Sequence, residues 1–129
     1  MIGWVSWASW ALKRGSKMIK AMYRVEFISN NGENRYGVVV FEMGRILGGD
    51  GACVYVGTYE IENGLLKVNV KVTNDCKAIN SIFGEMSICH LNGEAKVPND
   101  EVLIKEFTVH GTMIENPARK MAVKFTRRA

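Results

Sequence analysis

ACVYVGTYEIENGLLKVNVKVT, residues 52–73, is the stretch whose reading decides the fold. Its second half alternates cleanly: Leu66, Val68, Val70 and Val72 lie on one side, Lys67, Asn69 and Lys71 on the other. A period of two is that of a strand with one covered face. The first half places Tyr55 and Tyr59 on one side with Gly57 between them, which predicts a bend or a close backbone contact. Glu62-Asn63-Gly64 joins the halves. Asn-Gly tolerates positive φ at both central positions of a tight turn, so the unit is an antiparallel hairpin.

The same pattern extends outward. In YRVEF (23–27), Tyr23, Val25 and Phe27 share one face, and Arg24 and Glu26 the other. Ser29 to Asn34 is a turn-forming cluster, and YGVVVF (36–41) has the β-branched, apolar make-up of a well-covered strand. Met43-Gly44 predicts a turn and Arg45-Ile46-Leu47 a short strand. Gly48-Gly49-Asp50-Gly51 predicts a break in which Asp50 bonds back to nearby N–H groups. Downstream, 74–84 reads as an irregular connection and EMSICHLNG (85–93) as a strand ending in an Asn92-Gly93 turn. VLIKEFTVHG (102–111) reads as a strand, with Asn116-Pro117 closing the link that follows it. ARKMAVKFTRR (118–128) turns Met121, Val123 and Phe125 inward and Lys120, Lys124 and Thr126 outward.

Roughly eight strands with short links and no helix inside the domain predict an all-β protein whose neighbours pair antiparallel in chain order. An up-and-down barrel of calycin-like form satisfies this pattern, because closure removes the open edges of a flat sheet. With 129 residues the chain has room for one domain and a real core. We divide it into an N-terminal extension, 1–21, and a barrel domain, 22–129.

Charge supports that division. The chain carries 17 Lys and Arg against 13 Asp and Glu, a net of +4 and a pI near 9.1. The interior, 25–115, holds all 13 acids and 7 bases, a net of −6, so the excess of positive charge is terminal. The extension contains all three tryptophans, Trp4, Trp7 and Trp10, followed by Lys13, Arg14, Lys17 and Lys20. Its basic cluster follows the apolar run, the reverse of a signal peptide, and the run is too short to span a bilayer. It reads as a short helix outside the barrel, lying on a membrane surface or docking a partner, or as sequence upstream of a true start at Met18 or Met22. The basic residues of 118–128 alternate with apolar ones and so form a strand face. They lack the interleaved aromatics of single-strand binders and the base-reading helix of duplex binders, so direct nucleic-acid binding is not expected.

Three cysteines, Cys53, Cys76 and Cys89, are an odd number in a chain without an export signal, which points to a reducing cytoplasm. Cys76, Cys89 and His90 match no zinc spacing, so no metal or other cofactor is expected. His90 and His110 have no local partner, and Ser29, Ser81 and Ser87 lack a nucleophile-elbow setting. The glycine-rich run at 48–51 lacks the lysine and helix of a phosphate loop. The chain does not read as an enzyme.

The Y-x-V-x-F-x-S strand at Tyr23 to Ser29, the G-V-x-V-x-x-x-G-x-I-x-G-G-D run at Gly37 to Asp50, and the G-x-Y strand at Gly57 to Tyr59 resemble the GrlR-like family of small regulators of type III secretion genes. The resemblance extends more loosely over 22–127, including Ser81 to Gly84. It implies a small lipocalin-like barrel that represses by binding a helix-turn-helix transcription activator. It also implies an acidic run in the loop after the G-x-Y strand; here that place reads Glu60-Ile61-Glu62-Asn63-Gly64, with two carboxylates, Glu60 and Glu62.

The expected function is therefore a non-enzymatic, cytoplasmic regulatory protein that binds a protein partner, with Glu60 and Glu62 as partner-binding residues. A basic DNA-binding partner would suit the net −6 of the interior. The alternative is a carrier of a small apolar ligand, with Tyr23, Phe27, Tyr55, Tyr59, Met86, Met121 and Phe125 lining the barrel. A homodimer through a β-branched strand face is a further expectation.

Overall fold

In the computed structural model, which describes residues 18–29, 34–74 and 87–129, eight antiparallel strands close into a barrel in chain order. They are β1 (Lys20–Ser29), β2 (Asn34–Glu42), β3 (Arg45–Gly49), β4 (Cys53–Glu62), β5 (Leu65–Asn74), β6 (Ile88–Lys96), β7 (Glu106–Met113) and β8 (Asn116–Arg127). β8 returns to β1 through the pairs Tyr23–Arg127 to Ser29–Met121, so the strands leave no free lateral edge. The extension up to Lys17, with its expected helix, lies outside the described residues.

Local chemistry sets the register. Met43 and Gly44 have φ of 48° and 81°, and Asn63 and Gly64 have 53° and 74°. Both are two-residue turns of the primed type, whose twist matches that of the flanking strands. They fix Glu42 opposite Arg45 and Glu62 opposite Leu65, and alternation does the rest. Gly57 makes the expected close contact: a Cβ there would stand 2.1 Å from the Asn69 carbonyl oxygen.

Several expectations are corrected. β1 opens at Lys20, ahead of the boundary drawn at 22: Ala21 is buried in the core, and the Ile19 N–H and carbonyl both bond the Tyr59 hydroxyl at 2.9 Å. YGVVVF is covered on one side only; Val39 and Phe41 are buried, while Tyr36 and Val38 are 49% and 45% exposed. Regular pairing continues through Gly48 and Gly49 and breaks only at Asp50. Asn92-Gly93 is not a turn. β6 runs through it to Lys96, because Gly93 sits where strands press together: a Cβ would lie 2.5 Å from Val109 Cγ1.

The domain also contains a helix, α1 (Asp100–Ile104), where a strand was expected. Asn99 caps it by accepting the Val102 N–H at 3.2 Å, and Asp100 and Glu101 occupy its first turn. A side-chain cap and acidic first turn outweigh the β-branched run that follows. Leu103 is buried, and its carbonyl accepts the Tyr23 hydroxyl at 2.7 Å, so α1 closes the end of the barrel at which β1 begins.

Inward side chains from all eight strands fill the interior. Near α1, Phe41 stacks on Tyr59 and Phe107 on Phe125, each pair at 4.8 Å, while Tyr23 stands edge-on to Phe41 at 5.2 Å and to Phe107 at 5.3 Å. Edge-on and stacked pairs add about 0.5–1.5 kcal/mol each beyond the area they bury.

Candidate functional site

Of the residues expected to line a ligand cavity, Tyr23, Phe27, Tyr55, Tyr59, Met121 and Phe125 all point inward and are buried. Met86 lies outside the described residues. The three tyrosines spend their hydroxyls within the protein, on the Leu103 carbonyl, on Asp50 and on the Ile19 backbone. The interior space left beside Phe27, Tyr55, Val68, Gly93, Gly111 and Met121 is about 40 Å³. Sites for drug-sized ligands measure roughly 300–1,000 Å³. These side chains act as core.

Glu60 and Glu62 both face outward at the end of β4, the last strand of the outer wall described below. Glu60 is half-buried, and its Oε1 is buried without a hydrogen-bond partner. A carboxylate oxygen in that state is costly unless a donor reaches it. Glu62 ends the strand one residue before the Asn63-Gly64 turn.

Among the described residues, part of the interior's acidic charge is paired. Lys20 lies beside Glu42 at 3.7 Å, Arg35 binds Asp50, and Lys105 binds Glu101 at 3.0 Å. Lys124 from the last strand reaches Glu106 at 3.4 Å. The expected fit to a basic partner weakens only in part, because two terminal bases, Lys20 and Lys124, fold back onto the interior acids Glu42 and Glu106.

Asp50 performs the role expected of it and more. Its Oδ1 accepts the N–H groups of Ala52 and Cys53, each at 2.7 Å, and its own N–H donates to the Cys53 carbonyl at 2.9 Å. Its Oδ2 accepts Arg35 Nε at 2.9 Å and the Tyr55 hydroxyl. The Asp50 side chain is 3% exposed and that of Arg35 16%. Burial alone would raise this carboxyl, but Arg35, Tyr55 and the two N–H groups hold it below its ordinary value. Burial and the neighbouring carboxylate push the Tyr55 phenol far up, so it stays a donor. The cluster ties β2, β4 and the β3–β4 turn together and presents no reacting group to solvent.

His90, without a partner in the local sequence, finds one across the fold. Its Nδ1 lies 2.6 Å from Glu115 Oε2, and its N–H donates to Glu115 Oε1 at 2.8 Å. Hydrogen bonds from His90 hold Glu115 below the usual carboxylate range. Neighbouring Cys89 is buried inside the barrel, where burial, then Glu115 and Cys53, push its thiol up to about 12, so it is no nucleophile at neutral pH. Among the described residues, no cluster of three His, Cys, Asp or Glu could hold a metal ion, and no helix is long and apolar enough to cross a membrane.

The feature missed by reading strands one at a time is on the outside. Cross-strand rows place Met22 beside Val40, Val40 beside Leu47, and Leu47 beside Val56. The next row runs Arg24, Val38, Gly49, Val54. Val38, Val54 and Val56 are 45%, 42% and 42% exposed, and Met22 and Leu47 are exposed with them. The outer wall of β1–β4 is thus a contiguous apolar surface, of the kind that marks an interaction site on a folded protein. The signal was present in YGVVVF and VYV, but their burial could not be judged without the register. Compared with known proteins, the chain matches no family model and no curated protein.

Proposed function

We propose that this barrel is a non-enzymatic regulatory binding protein, a negative regulator that sequesters a protein partner on the outer wall of β1–β4. The observation that carries this reading is the apolar surface formed by Met22, Val38, Val40, Leu47, Val54 and Val56. Folding requires apolar residues only on the inward face, so an apolar outer face calls for a covering partner. Glu60 and Glu62, farther along β4, supply acceptors for cationic groups of that partner. The motif resemblance to the GrlR-like family makes a helix-turn-helix transcription activator in the bacterial cytoplasm, and regulation of a type III secretion type, the first partner and pathway to test.

The carrier alternative has less support, because the space enclosed among the aromatic side chains is about 40 Å³, and the larger recess of about 730 Å³ that Met121 helps to line is open to solvent. A second copy of the chain is a competing occupant of the same wall. Capture on the full-length protein from native lysate at low salt, followed by mass spectrometry, should recover a DNA-binding protein. Val38→Asp with Val54→Asp should release it. Recovery of no such protein, or a sizing profile in which the same substitutions convert a dimer to a monomer, would overturn the reading.

A further inference from the structure

We infer that the partner segment seated on the apolar wall delivers a carboxylate side chain into a basic pocket at the β1–β8 seam; this rests on the docking reading above. The pocket is a recess of about 190 Å³ formed by Arg24, Glu26, Tyr36, Lys124, Thr126 and Arg128. Closure of the barrel creates it. β1 and β8 are the first and last strands, and pairing sets Arg24 opposite Thr126 and Glu26 opposite Lys124. Arg128 is brought alongside by its N–H, which donates to the Met22 carbonyl at 2.8 Å.

Three cations face one carboxylate. Glu26 Oε2 already accepts Asn34 Nδ2 at 3.1 Å and the Tyr36 hydroxyl at 3.3 Å. Lys124 has an exposed contact with Glu106 at 3.4 Å, which a better-placed anion can replace. The Arg24 guanidinium carbon lies 4.9 Å from the centre of the Tyr36 ring. A guanidinium stacked on a ring keeps in-plane N–H donors that match the two oxygens of a carboxylate.

The pocket is continuous with the wall. Val54, Gly49, Val38, Arg24 and Thr126 form one uninterrupted outer row, and Met22 lies two residues from Arg24 on the same face of β1. A segment lying on the valines therefore meets the cations at the end of its path. An apolar surface covered by that segment also lowers the local dielectric beside the pocket, which strengthens the pairing. The occupant is an amphipathic segment of apolar residues with Asp or Glu at one end. The chain's own first seventeen residues have the wrong charge for this role, with Lys13, Arg14 and Lys17 and no acid.

The test is a titration of the isotope-labelled full-length protein with succinate, followed by amide shifts. Saturating shifts should concentrate at Arg24, Tyr36, Thr126 and Arg128, and Arg24→Gln with Arg128→Gln should weaken binding about five-fold or more while the spectrum stays dispersed. Lys67→Gln with Lys120→Gln should leave it unchanged. Shifts spread evenly over the surface lysines, or surviving the double arginine substitution, overturn the pocket. Capture from lysate separates the two proposals. A partner released by Val38→Asp with Val54→Asp but held equally by the arginine variant overturns the pocket and leaves the docking reading standing. No partner on the wild-type protein overturns the docking reading itself.

Discussion

The half of the barrel built by β1–β4 and the half built by β5–β8 place their polar chemistry in opposite layers. In the first half a charged cluster is buried at the turn, where Asp50 holds Arg35, Tyr55 and two N–H groups, and the middle of the outer wall is an apolar patch bordered by charged residues such as Arg24 and Glu26. In the second half the turn pair, His90 and Glu115, is exposed, and the outer wall is polar. There Lys67, Asn92, Glu94, His110 and Lys120 rim an open groove of about 730 Å³ whose floor includes Val68 and Met121 and which reaches Ile28 of β1. Both halves bury the same kind of inward face. The difference shows that inward packing closes a barrel whatever the outer faces carry, so the apolar outer patch is not needed for closure.

The largest expected effect tests the buried turn. Asp50→Ala leaves the Arg35 charge and the Tyr55 hydroxyl without their acceptor, and should cost about 3–5 kcal/mol in urea unfolding. A loss no greater than that of an exposed surface substitution would erase the contrast between the halves. The pH dependence has a definite sign. Asp50 titrates in the folded protein below its ordinary value of 3.8, so its contribution is complete above that value and is lost as pH falls through the lowered folded one. An acid unfolding curve should show this loss in the wild type and not in Asp50→Ala.

The next effect is at the join between the halves. Gly57→Ala would place a Cβ 2.1 Å from the Asn69 carbonyl oxygen and should destabilise by about 1–3 kcal/mol or more. Normal stability in this variant would mean that β4 and β5 are not held as tightly as the register implies.

Smaller still is the stability effect of changing the apolar wall. Val54→Lys should change stability by only about 0.5 kcal/mol, because the side chain is on the solvent face, while releasing the captured partner. A large stability loss would make the wall a part of the fold rather than a docking surface. The smallest effect is Glu115→Gln, which removes the carboxylate charge beside an exposed histidine and keeps one oxygen acceptor. Its urea midpoint should move less than that of Asp50→Ala, and a larger movement would reverse the comparison.

Much of this was legible in the sequence. The alternation of LLKVNVKVT and ARKMAVKFTRR identified inward residues that are indeed buried, among them Leu66, Val68, Met121 and Phe125. Met43-Gly44 and Asn63-Gly64 announced their turns through a φ preference that belongs to the residues themselves. Asn92-Gly93 carried the same signal and was misleading, because the contact that needs Gly93 comes from Val109, on another strand. α1 was missed because the apolar run Val102 to Ile104 outweighed the Asn99 cap when read by periodicity alone.

The sequence by itself determined most of the strands, the two primed turns and the division of the strands into inner and outer faces. These depend on neighbours two to four residues apart, and local sterics and alternation carry that information. The tertiary structure alone decided what meets what. Closure of β8 on β1 brought Arg24 to Thr126, strand register joined Val38 to Val54 through Gly49, and folding set His90 against Glu115 and Asp50 against Arg35. Such contacts depend on cross-strand register and barrel closure, and both are properties of the whole sheet rather than of any one strand.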